Sequence, residues 1–114
     1  MVRIAVVLDS SGLLYSLDLR GHAGTSPKGE NPACAAITLL VRSVARLTAS
    51  GTGWSVEGNA PEPGNLSLVV KRRPSDTDEW LGGVTDTLLQ ALADISTEFP
   101  EAVSVSIEEK NNGS

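Results

Sequence analysis

From Val2 to Leu8 the apolar residues Val2, Ile4, Val6 and Leu8 alternate with Arg3, Ala5 and Val7, the two-residue period of a strand with one buried face. Asp9-Ser10-Ser11-Gly12 supplies turn chemistry, and Leu13, Tyr15, Leu17 and Leu19 then alternate with Leu14, Ser16, Asp18 and Arg20. This predicts an antiparallel hairpin over the first twenty residues. Continuing the alternation sets His22 on the polar face, beside Arg20 and Asp18. Residues 23 to 31 hold Gly24, Pro27 and Gly29 and no apolar side chain larger than alanine, the composition of a mobile loop.

A change of period follows. Asn31 is a good N-cap, Pro32 fits the first helical position, and Ile37, Leu40, Val41, Val44 and Leu47 recur at helical spacing up to a stop at Gly51. Trp54 and Val56, then Leu66, Leu68 and Val70, read as two short strands. They are joined by Gly58-Asn59-Ala60-Pro61-Glu62-Pro63-Gly64, whose prolines and glycines oppose regular structure. Ser75-Asp76-Thr77-Asp78 offers caps for a second helix with the stripe Leu81, Val84, Leu88, Ala91, Leu92 and Ile95, ending near Phe99-Pro100. Gly82-Gly83 weakens its first turn and is expected to delay its start. Val103, Val105 and Ile107 predict a last strand.

The predicted order is β-β-α-β-β-α-β. One-faced strands with two amphipathic helices imply an α+β fold: a single, largely antiparallel sheet with both helices packed on one face. At 114 residues the chain is expected to form one domain over 1–110, with 111–114 a disordered tail.

Composition narrows the function classes. The formal net charge is -5, and the only basic run is Lys71-Arg72-Arg73, which reads as a solvated strand end; direct nucleic-acid binding is not expected. An acidic surface suits a basic protein partner. No apolar run approaches the roughly 20 residues that cross a bilayer, so no membrane association is expected. A lone cysteine cannot form an internal disulfide, and the N-terminus lacks the pattern of a signal peptide, which places the chain in a reducing cytoplasm.

Against this background two residues stand out. His22 and Cys34 are the only histidine and the only cysteine, one ending a predicted strand and one opening a predicted helix. With Asn31 as N-cap, Cys34 is the third helical residue, where the positive end of the helix dipole favours thiolate over thiol. Backbone N–H groups of Ala33, Cys34 and Ala35 at the same terminus are placed to donate to a developing oxyanion. The bland alternative is a passive buried thiol, since Cys34 shares its helical phase with Ile37 and Val41, and a surface histidine. Other chemistries lack their parts. There is no Gly-x-Ser-x-Gly elbow, one Cys and one His leave a zinc site incomplete, and no phosphate-binding glycine loop is present. No metal and no cofactor is expected.

The segment Gly21-His22-Ala23, followed by Gly29-Glu30-Asn31-Pro32-Ala33-Cys34-Ala35-Ala36-Ile37-Thr38, resembles the signature of the ribosomal-processing cysteine proteases called Prp. In that family a Gly-His-Ala and a Gly-x-Asp-x-x-Cys-Ala-Ala-x-Ser frame the catalytic pair, at the same His-to-Cys spacing. The resemblance implies a homodimeric cysteine endopeptidase that removes a short N-terminal extension from a large-subunit ribosomal protein. It implies Cys34 as nucleophile, His22 as general base, and the loop bearing Gly21, Ala23, Gly24, Gly29, Glu30 and Asn31 as the element that closes on the peptide. Asn31 stands where the family usually has aspartate. Asparagine caps a helix as well, but the lost carboxylate raises a second reading, a non-catalytic ribosome-associated binding module that keeps the fold.

Overall fold

A computed structural model describes residues 1–21, 32–60 and 64–110. Seven elements follow one another: β1 (Val2–Leu8), β2 (Leu14–Arg20), α1 (Pro32–Ala49), β3 (Ser55–Asn59), β4 (Leu66–Arg72), α2 (Asp78–Glu98) and β5 (Val103–Glu109). The order is the one the hydrophobic pattern predicts. The five strands form one sheet in the order β3-β4-β2-β1-β5. Three neighbouring pairs are antiparallel, and β5 runs parallel to β1 with Val2 opposite Val103 and Val6 opposite Ile107.

The placement of the helices follows from this topology. The β2-to-β3 connection through α1 crosses the sheet in one direction, and the β4-to-β5 connection through α2 crosses it in the other, each starting from a strand of opposite polarity. Right-handed crossovers from such a pair of starts lay both helices on the same face. Accordingly one core contains Val2, Ile4 and Val6 from β1, Leu17 and Leu19 from β2, Ile37 and Val41 from α1, and Leu81, Leu88 and Leu92 from α2. The opposite face is left to small and polar residues, among them Arg3, Ala5, Asp18, Arg20, Ser104 and Ser106, which line a shallow depression of about 320 Å³.

Four local readings are corrected. In β2 the pairing slips between Val7 opposite Ser16 and Leu8 opposite Leu14, so Tyr15 is an extra residue. That bulge turns Leu14 into the core, at 1% exposed, and leaves Tyr15 half-buried, where strict alternation predicts the reverse. Gly82-Gly83 does not delay α2, which begins at Asp78; the buried stripe Leu81, Thr85, Leu88 and Leu92 outweighs about 1 kcal/mol of propensity per glycine. Gly58 and Asn59, predicted as connection, are the end of β3, paired with Leu68 and Ser67. Of the basic run, Lys71 and Arg72 are exposed. Arg73 instead turns back, donating to Thr77 Oγ1 at 2.9 Å and Asp78 Oδ1 at 2.6 Å, with Asp9 at 3.9 Å.

α1 is 18 residues long with a mean hydropathy of 1.3, long and apolar enough by composition alone to span a bilayer. Its Ala33, Ile37, Val41, Val44 and Thr48 are buried against the sheet and α2, while Arg42 and Arg46 lie outside, the amphipathic arrangement of a core helix. The expected tail at 111–114 lies outside the described residues.

Candidate active site

Cys34 is the third residue of α1, as its sequence position predicts. It is half-buried and packs against the core, whereas its neighbour Ala33 is fully buried and Ala35 is exposed. The alternation has a helical cause. Ala33, Ile37 and Val41 take the inward stripe, and Cys34 sits at that stripe's margin. No acidic residue occupies the first turn of α1.

Gly21 is the last described residue before His22. Its φ is +88°, and a Cβ built on it would lie 2.9 Å from the Met1 carbonyl oxygen, so only glycine fits. Its N–H donates to Asn65 Oδ1 at 3.3 Å. The chain therefore leaves β2 through a point fixed by both the N-terminus and the start of β4. Sequence reasoning had no reason to single out Asn65 or Met1, because the contact joins residues 44 positions apart.

Beside this exit, Asp18, Arg20, Asn59, Asn65, Leu66 and Ser67 line a polar pocket of about 120 Å³. Arg20 Nε donates to Asp18 Oδ2 at 2.6 Å, confirming that these two residues share the polar face. The hydrogen bond to Asp18 and its charge raise the Arg20 pKa. The pair faces solvent at the end of β2.

His22 and the loop residues Ala23, Gly24, Gly29, Glu30 and Asn31, with Asn31 as expected N-cap, lie outside the described residues. Of the expected site, the described part is Gly21, Ala33, Cys34 and Ala35, on the two elements that the loop joins. Among the described residues no cluster of three or more His, Cys, Asp or Glu could hold a metal.

The fold is a two-layer α+β domain, a sheet with both helices on one face, and it carries its sole thiol in the first turn of α1 and its sole histidine directly after the pinned strand exit. The family model described as Cysteine protease Prp matches residues 1–104, and the chain belongs to that family. Its fold is similar to that of the ribosomal processing protease Prp from S. aureus bound to a covalently linked product peptide. That match has a TM-score of 0.78 at 17% identity, over 95% of this chain and 100% of that one. The same S. aureus protein with a substrate peptide matches with a TM-score of 0.75 at 15% identity, over 95% and 100% of the two chains. SMU.848 from Streptococcus mutans matches at 0.78 with 20% identity, over 96% of each chain. No curated protein sequence matches the chain closely.

Proposed function

We propose that this chain is a cysteine endopeptidase that removes a short N-terminal extension from a large-subunit ribosomal protein, using Cys34 and His22. The observation that carries the reading is the position of Cys34 in the first turn of α1, within a chain of the Prp family. It is supported by the likeness to a ribosomal processing protease holding product and substrate peptides.

The chemistry follows from the placement. The Cys34 thiolate attacks the scissile carbonyl carbon and forms a tetrahedral oxyanion, toward which backbone N–H groups at Ala33 to Ala35 and the helix pole direct positive charge. Collapse of this intermediate breaks the C–N bond, and His22, holding the proton taken from the thiol, gives it to the departing amine. Water, deprotonated by His22, then hydrolyses the thioester. The loop that includes Gly24, Gly29, Glu30 and Asn31 closes over the peptide and excludes solvent during these steps. The chain works as a homodimer in the cytoplasm, and its net charge of -5 attracts the basic tail of a ribosomal protein.

The test is incubation of the protein with a peptide spanning the N-terminus of the ribosomal protein precursor from the same genome, read by mass spectrometry. Wild type cleaves once, Cys34→Ala does not, and His22→Ala slows cleavage by about two orders of magnitude or more. Absence of cleavage by wild type, or equal cleavage by Cys34→Ala, overturns the reading.

A further inference from the structure

α1 carries two arginines, Arg42 and Arg46, and no acid, whereas α2, across an apolar groove, carries five acids and no base. The arginines line not that groove but a separate depression beside β3, of about 260 Å³, with Val41, Ala45, Leu66 and Leu68 as its apolar floor. Both are exposed. Among the described residues neither has an ion-pair partner, and no acid lines the depression. In a chain of net charge -5, two unpaired guanidinium groups one helical turn apart, beside an apolar floor, form a local site for an anion.

The strand register explains why the depression is there. Gly58 is paired with Leu68, which is 1% exposed in the core, so Gly58 stands on the side of β3 that looks toward α1. A Cβ there would meet only the Ser67 carbonyl oxygen, at 3.8 Å; β3 leaves open the space that a larger side chain would fill. β3 is also an edge strand, whose outer main-chain groups are open to an extended chain. Val41 and Ala45 follow Cys34 by seven and eleven residues, about two and three helical turns, so all three share one side of α1. The depression therefore begins about 10 Å along the helix from the thiol, the length of about three residues of extended peptide.

We propose that this depression is a specificity subsite that takes an acidic side chain of the substrate peptide, about three to five residues from the scissile bond. Arg42 and Arg46 hold its carboxylate, and the apolar floor holds its methylenes. The inference rests on the peptidase reading above. An extended acidic peptide is the occupant that uses every feature: the arginines need an anion, the open edge of β3 suits a strand, and the shared side of α1 sets the distance to Cys34. A phosphate backbone matches the arginines alone and is repelled by the net negative charge of the chain. That same charge attracts the basic body of a ribosomal protein, and the two arginines then fix the register of the bound segment by receiving one carboxylate.

A single glutamate walked along the substrate tests it. Peptides spanning the N-terminus of the ribosomal protein precursor from the same genome carry Glu at each position in turn on both sides of the scissile bond, with Gln at the same position as control. Wild type prefers Glu at one position about three to five residues from the bond, by about tenfold in kcat/KM and mainly through KM, and loses the preference in ~0.5 M salt. Arg42→Glu with Arg46→Glu abolishes that preference and gains one for Lys at the same position, which also shows that the variant is folded. Gly58→Leu, which fills the depression, removes the preference while the Gln peptides are cleaved as before. Equal rates wherever Glu stands, or a preference kept by the double variant, overturns the subsite alone. A wild type that cleaves none of the peptides overturns the peptidase reading and the subsite together. Binding of an RNA oligonucleotide that requires both arginines, without any peptide preference, gives the depression to a phosphate backbone and overturns the proposal as well.

Discussion

The backbone N–H of Gly21 donates to the side-chain oxygen of Asn65 at 3.3 Å, joining the residue before His22 to the start of β4. With the Met1 carbonyl 2.9 Å from where a Gly21 Cβ would stand, three separate parts of the chain meet at the exit of β2. A catalytic base, the role proposed for His22, works only if it is held to a fraction of an ångström relative to its nucleophile, and this knot lies directly before it in the chain.

Gly21→Ala is therefore expected to do two kinds of harm. The positive φ and the close carbonyl together cost about 1–3 kcal/mol of stability, visible as a lower urea midpoint. If the knot positions His22, peptide cleavage falls further than the loss of folded protein explains, with the effect mainly in kcat. A variant with lowered midpoint and unchanged kcat would separate the two roles.

A second lock holds sheet to helix. Leu14 N–H donates to Thr85 Oγ1 at 3.0 Å in the core, and Thr85 is 1% exposed on the inward stripe of α2. Thr85→Val keeps the shape but leaves a buried donor unsatisfied, which costs about 1–3 kcal/mol. Thr85→Ser restores the acceptor and recovers most of that loss. Denaturant titration of the pair measures the difference, and equal midpoints for the two variants would remove the bond from the argument.

The third prediction concerns Gly51. A Cβ at this position would lie 2.5 Å from Trp54 Cδ1, and Trp54 packs edge-on against Trp80 with ring centroids 5.4 Å apart. Gly51→Ala pushes the Trp54 ring off its seat and separates the pair, with a loss of about 1 kcal/mol. Tryptophan fluorescence should shift toward the solvent-exposed spectrum. An unchanged spectrum would mean that the ring relaxes without leaving Trp80.

Much of the fold was legible because its elements are amphipathic with clean periods. Val2, Ile4 and Val6 announce a one-faced strand, and Ile37, Val41 and Val44 a helix, since each must hide one side from water. The errors fell where a longer-range contact overrode local preference. The bulge at Tyr15 reverses two faces of β2 because β1 offers Leu8 as a partner for Leu14. The Gly82-Gly83 pair stays helical because Leu81 and Thr85 on either side are buried.

The sequence by itself determined the order of elements, the position of Cys34 three residues into a helix, and the singularity of the thiol and the histidine, because periodicity and capping are local properties written residue by residue. Only the tertiary structure decided that β5 joins β1 in parallel, that Asn65 and Met1 pin the residue before His22, and that a basic and an acidic helix flank one apolar groove. Those relationships join residues tens of positions apart, and they exist only once burial of the common core has paired the strands and brought the two helices side by side.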